Sequence, residues 1–178
     1  PMSAFADSGR VLSLGTFSKI LAPGLRLGWV HGAAPLLARL ARSGMVASGG
    51  GLNPFTSALV TYAMRSGALT DNVWRLCLEY RERAAALDAA LRAHMPDGVT
   101  WAAPTGGYFT WLTLPDGVDG GEVRRLGQAA LVDVRQGSLF STTGGATNHL
   151  RLSFAHYGAT DLAEGAARLG TAVRAALS

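Results

Sequence analysis

Leu14-Gly15-Thr16-Phe17-Ser18-Lys19-Ile20-Leu21-Ala22-Pro23-Gly24-Leu25-Arg26-Leu27-Gly28-Trp29 is the most informative stretch of this chain. Just before it, Val11-Leu12-Ser13-Leu14 is short and apolar, the pattern of a buried strand that stops at Gly15. A second such segment, Leu25 to Val30, follows the loop Ile20-Leu21-Ala22-Pro23-Gly24. Strand ends that feed loops are where α/β sheets bind ligands. Thr16 and Ser18 place two hydroxyls within three residues of Lys19, and Arg26 follows seven residues later. Short hydroxyl donors around one oxygen group, with a planar guanidinium fork on another, suit an anion such as phosphate.

Composition sharpens the interest in Lys19. The chain has 178 residues, 48% hydrophobic and 16% charged, enough for a real core and too apolar for disorder. Its formal net charge is +4, yet Lys19 is the only lysine; the rest of its 16 basic residues are arginines, scattered without a run of the kind that grips nucleic acid. The densest pairs, Arg81 with Arg83 and Arg124 with Arg125, fall in helical patterns and read as solvated faces. A guanidinium stays protonated, whereas an amine can act as a nucleophile once it loses its proton. An amine beside a phosphate pocket suits a phosphorylated carbonyl compound held as an imine, of which pyridoxal phosphate is the common case. Serine and threonine beside a lone lysine are also ordinary loop residues, and spacing alone does not separate the two readings.

Outward from this stretch, Pro35 opens a helix to about Ser43, and the Gly49–Gly51 run reads as a flexible loop. Asn53 as N-cap with Pro54 behind it starts a helix that ends near Gly67. Thr70 or Asp71 then caps the strongest helix. Its stripe Val73, Leu76, Cys77, Tyr80, Ala84, Leu87 and Leu91 recurs at spacings of three and four, and Pro96 stops it. On that stripe Cys77 is expected in a core. Val99 to Ala102, Tyr108 to Leu114 and Leu150 to Phe154 read as strands, and Glu122 to Leu131 and Thr160 to Ala176 as helices. Strands alternating with helices predict an α/β architecture. One cysteine excludes an internal disulfide and suits a reducing compartment. The longest uncharged stretch, Ser43 to Met64, is broken by glycines and a proline and makes a poor membrane span, and no signal peptide is visible. The four histidines are too dispersed for metal-ligand spacing, so no metal is expected.

The segment Leu14 to Trp29 resembles the lysine segment of class I/II aminotransferases of fold type I, and most closely the branch with 2-aminoadipate and kynurenine aminotransferases. Three later stretches are similar in the same order: Asn53-Pro54-Phe55-Thr56-Ser57, Pro104-Thr105-Gly106-Gly107-Tyr108-Phe109-Thr110-Trp111, and Asn148-His149-Leu150-Arg151-Leu152-Ser153-Phe154. The resemblance implies pyridoxal 5'-phosphate as cofactor. Lys19 would hold it as a Schiff base and shuttle a proton at the substrate Cα. Thr16, Ser18 and Arg26 would hold its phosphate, and Arg151 would bind the α-carboxylate of the amino acid. The substrates would be an α-amino acid and a 2-oxo acid, and the protein a cytoplasmic homodimer. Tyr108 is expected in the packing of a strand rather than against substrate.

Members of that family are about twice this long, so the chain is expected to be a C-terminal part. Residues 1–69 would end the cofactor-binding large domain, 70–95 would be the long connecting helix, and 96–178 the small α/β domain. The ring that stacks on the cofactor and the aspartate at its pyridine nitrogen would belong to a front half, and little activity is expected of these residues alone. Thr16 stands where serine is frequent, and Gln136-Gly137 where Pro-Gly is common. A regulator of the GntR/MocR type, with an aminotransferase-like effector domain behind a winged DNA-binding domain, has a similar lysine segment. It is the alternative reading, and nucleic acid would then be a partner only through an N-terminal domain outside this sequence. A non-catalytic remnant is the third.

Overall fold

The structure is a computed structural model that describes residues 2–48 and 52–178; the Gly49–Gly51 loop lies outside the described residues. Contacts divide the chain into two units, and the boundary between Leu76 and Cys77 falls inside one long helix.

The first unit opens with a 3-10 helix, Met2–Ser8, against an antiparallel ribbon of β1 (Leu12–Thr16) and β2 (Gly28–Gly32). The helices α1 (Ala34–Ala41), α2 (Gly44–Ala47) and α3 (Pro54–Arg65) follow. Register pairs Gly15 with Trp29, and the Trp29 indole lies across the glycine: a Cβ there would come within 2.1 Å of the ring. The second strand starts later than its apolar run suggests. Pro23–Leu25 forms a 3-10 turn and Arg26 is left-handed, φ 47° and ψ 43°, so pairing resumes only at Gly28. The first strand is not buried as expected: it alternates exposed and half-buried residues, and Leu14 is 77% exposed. A strand with one partner in a two-stranded ribbon has little to cover its faces. α3 starts as its sequence predicts, with the Asn53 side chain accepting from the Thr56 amide at 3.2 Å and Pro54 behind it.

Helix α4 (Ala68–His94) begins earlier than Thr70 or Asp71. Gly67, at φ 84°, turns the chain directly out of α3, and its carbonyl accepts from the Asp71 amide at 3.1 Å. The apolar stripe on α4 is continuous in sequence but not in packing. Ala84, Leu87 and Leu91 are buried, whereas Cys77 is exposed and Val73 and Leu76 only half-buried. The core of the second unit backs α4 from Ala84 onward, with Tyr80 packed against its margin.

That core lies on a four-stranded antiparallel sheet in the order β3-β4-β6-β5: β3 (Thr100–Trp101), β4 (Phe109–Thr113), β5 (Arg135–Gln136) and β6 (His149–Ser153). Helices α5 (Gly120–Ala129) and α6 (Ala159–Ala176) complete the unit. α5 starts ahead of Glu122 because Asp119 caps it, accepting from Gly121 N at 2.8 Å and Glu122 N at 3.0 Å. Thr110, Leu112, Leu150 and Leu152 alternate inward and join Leu91, Val123, Leu169 and Val173 in or beside the core. Each large apolar side chain so buried contributes about 1.5–3 kcal/mol of transfer free energy. The alternate positions Phe109, Trp111 and Arg151 are left on the other face, as period-2 geometry requires.

Candidate active site

In the first unit the end of β1 and the 3-10 turn before β2 converge. Phe17 N donates to Leu27 O at 3.1 Å and closes the ribbon, while the amides of Ile20, Leu21 and Ala22 all donate to Phe17 O within 3.3 Å. Those bonds wind residues 18–21 into a tight turn, and Lys19 sits on its exposed side. Phe17 anchors the turn beneath, 8% exposed and 4.7 Å from the Trp29 ring. The Asn72 amide nitrogen, from the first turns of α4, donates to Ile20 O at 2.8 Å and braces the same turn. Sequence reading did not single out Asn72. The two residues are 52 apart and no local pattern joins them.

Three of the expected anion-binding residues come together here. Ser18 N donates to Thr16 Oγ1 at 3.1 Å, and Thr16 Oγ1 lies 3.1 Å from Ser18 Oγ. Arg26 Nη1 reaches Ser18 Oγ at 3.5 Å and donates to Pro23 O at 3.1 Å. Left-handed backbone costs an L-residue roughly 1–2 kcal/mol, and at Arg26 it turns the guanidinium back towards the hydroxyls instead of along the strand. The Arg26 contact to Ser18 is long for a hydrogen bond, so the fork keeps donors to spare. Two hydroxyls, a guanidinium and a neighbouring primary amine form a donor set that fits a phosphorylated aldehyde: anion donors at one end, a nucleophile at the other.

Arg151 belongs to the second unit, on β6, opposite Trp111 of β4. Its guanidinium carbon lies 4.0 Å from the Phe109 ring centroid and 4.1 Å from that of Phe140. Two aromatic rings thus pack on the guanidinium, each such contact worth about 0.5–2 kcal/mol. The parallel N–H groups of a guanidinium match a carboxylate. Phe140, from the 3-10 helix Gly137–Phe140, carried no sequence signal for this role, because its partner is on another element. Tyr108 packs edge-on against Tyr80, centroids 5.4 Å apart; burial, reinforced by Tyr80 and Cys77, raises its pKa above 10.0 and keeps the phenol protonated. Among the described residues no group of three His, Cys, Asp or Glu side chains could hold a metal ion, and no helix is long and apolar enough to cross a membrane.

A family model described as aminotransferase class I and II matches residues 3–169. The chain belongs to the class I and II aminotransferases. Among curated aminotransferases, aromatic-amino-acid aminotransferase 1 of Thermococcus litoralis is 34% identical over 98% of this chain and 42% of its own length. The solved α-aminoadipate aminotransferase of Thermus thermophilus, in complex with N-(5'-phosphopyridoxyl)-L-leucine, superposes with a TM-score of 0.85 at 32% identity, covering 94% of this chain and 42% of that one. The transcriptional regulator YdfD of Bacillus subtilis, of helix-turn-helix type, is 28% identical over 98% of this chain and 36% of its own length. The aminotransferase chain therefore spans about two-fifths of the length of its relatives, and its fold is α/β, that of a C-terminal part of a fold type I aminotransferase.

Proposed function

We propose that the protein carrying this chain is a pyridoxal-phosphate-dependent aminotransferase that moves an amino group from an α-amino acid to a 2-oxo acid. The observation that carries the reading is the cluster of Thr16, Ser18 and Arg26 in the connection between β1 and β2 that also carries the single lysine, Lys19. Thr16 and Ser18 would donate hydroxyl hydrogens to the phosphate, and Arg26 would add the charged fork. When bound, the cofactor supplies an electron sink for the carbon that loses its proton. Lys19 would hold the cofactor through its amine and would carry the proton to and from the substrate Cα. Arg151 binds the α-carboxylate and orients that carbon, with Phe109 and Phe140 keeping the guanidinium plane in place. In this reading residues 1–69 end the cofactor domain, 70–95 are the connecting helix, 96–178 are the small domain, and the protein works as a homodimer in the cytoplasm.

The test is covalent trapping. The protein is incubated with pyridoxal phosphate, reduced with borohydride, digested and mapped by mass. A phosphopyridoxyl adduct on the peptide bearing Lys19, absent in Lys19→Ala, is the expected result. An adduct elsewhere, or none, rejects the assignment. The similarity to the regulator YdfD favours a second reading, in which the same domain senses an amino compound for an attached DNA-binding domain. The coding sequence before Pro1 separates the two: a winged helix there supports the regulator, and a cofactor-domain front half without one supports the enzyme.

A further inference from the structure

Strand β5 is the outer strand of the four-stranded sheet and pairs with β6 through two residues. Register sets Arg135 directly opposite Arg151, which itself stands opposite Trp111. Directly opposed residues of an antiparallel pair project to the same face, with Cβ atoms about 5 Å apart. Leu150, the partner of Gln136, is fully buried in the core, so the row Trp111–Arg151–Arg135 lies on the open face.

Two guanidiniums in direct opposition repel, and among the described residues neither forms a salt bridge. The acid whose field Arg135 feels, Asp133, is already taken: Arg124 Nε and Nη2 donate to its two oxygens at 2.8 and 3.4 Å, and Gln128 Nε2 donates at 3.3 Å. Arg151, flanked by Phe109 and Phe140, offers one fork of N–H donors, a match for one carboxylate. Arg135 is exposed on an edge strand, with donors that the sheet does not use. Such a pair calls for an anion with two negative ends.

Resting on the aminotransferase reading, we propose that Arg135 determines specificity: it takes the second carboxylate of a dicarboxylic amino acid or 2-oxo acid whose α-carboxylate is on Arg151. The experiment compares Arg135→Gln and Arg151→Gln with the parent protein, each first shown to fold by circular dichroism. Dissociation constants of glutarate and butyrate are measured by tryptophan fluorescence, and KM and kcat for 2-oxoglutarate against 4-methyl-2-oxopentanoate by turnover. Arg135→Gln is expected to weaken glutarate and raise KM for 2-oxoglutarate about 10-fold, with butyrate and the monocarboxylic oxo acid moved less than about 2-fold. Arg135→Lys should recover part of the loss, and Arg151→Gln should weaken both classes. Equal weakening of both classes by Arg135→Gln, or of neither, overturns the inference and leaves the aminotransferase reading standing. Failure of the parent protein to transaminate either oxo acid, with no trapping at Lys19, overturns that reading and this inference with it.

Discussion

Gly170→Ala should destabilise the unit that carries Arg151 by about 1–3 kcal/mol, whereas Gly165→Ala, one and a half turns earlier on the same helix, should stabilise it by about 0.5–1 kcal/mol. A Cβ at Gly170 would stand 2.3 Å from the His94 carbonyl oxygen, 3.0 Å from its carbon and 3.4 Å from its Cβ. Most of that obstruction is backbone at the last residue of α4, so no rotamer change relieves it, and ordinary contact needs the helices to part by about 1 Å. The flanking Leu169 and Val173 are 1% and 0% exposed, so the separation would open the core. The same carbonyl accepts from Arg174 Nη1 at 2.8 Å, and losing that bond adds about 1 kcal/mol. Alanine's advantage over glycine in a helix, about 1 kcal/mol, offsets only part of the total. At Gly165 the nearest atom to an added Cβ is Val132 Cγ2 at 3.9 Å, an ordinary contact, so the helix-propensity gain stands alone. Urea denaturation followed by far-ultraviolet circular dichroism gives both values. Shifts of the same sign, or a Gly170→Ala variant as stable as the parent, would refute the idea that α6 is docked on the carbonyl end of α4.

Two further expectations concern charge. Asp88 accepts from Trp101 Nε1 at 2.8 Å and from Arg92 Nε at 2.9 Å; the Trp101 bond is the main cause that holds its pKa below 3.8, with Arg92 assisting against the opposing effect of burial. A carboxylate depressed on folding contributes stability that is present above its unfolded pKa and lost as pH falls through the folded one. Asp88→Asn should therefore flatten the stability–pH curve below pH 3.8, and an unchanged slope there would count against this pair. Arg26→Gly removes the guanidinium while accepting the left-handed backbone more readily than arginine does. Stability should hold or rise, and affinity for pyridoxal phosphate should fall about 10- to 100-fold, with that for pyridoxal unchanged; an equal loss for both ligands would show that Arg26 does not serve the phosphate.

Much of the molecule was legible along the chain. The Asn53-Pro54 start of α3, the extent of α6 and the end of α4 before Pro96 follow from capping and from 3.6-residue periodicity, which act within a few residues. The Thr16, Ser18 and Arg26 cluster was legible for a related reason: a ribbon closed at Phe17 and Leu27 brings residues eight to ten apart within hydrogen-bond range. Periodicity also misled. The stripe on α4 implied one buried face, but Cys77 is exposed, and the fully buried positions of the stripe run only from Ala84 to Leu91. The two-residue strand β5 has too few positions to show an alternation, and it is visible only through its pairing with β6.

Sequence alone determined the residue types and local turns that can hold an anion beside an amine, because that chemistry is built from neighbours on one loop. Tertiary structure alone decided the brace from Asn72, the two rings against Arg151 and the placing of Arg135 opposite it. Those contacts join residues far apart in the chain, through strand register and packing, and nothing in a short window of sequence encodes either.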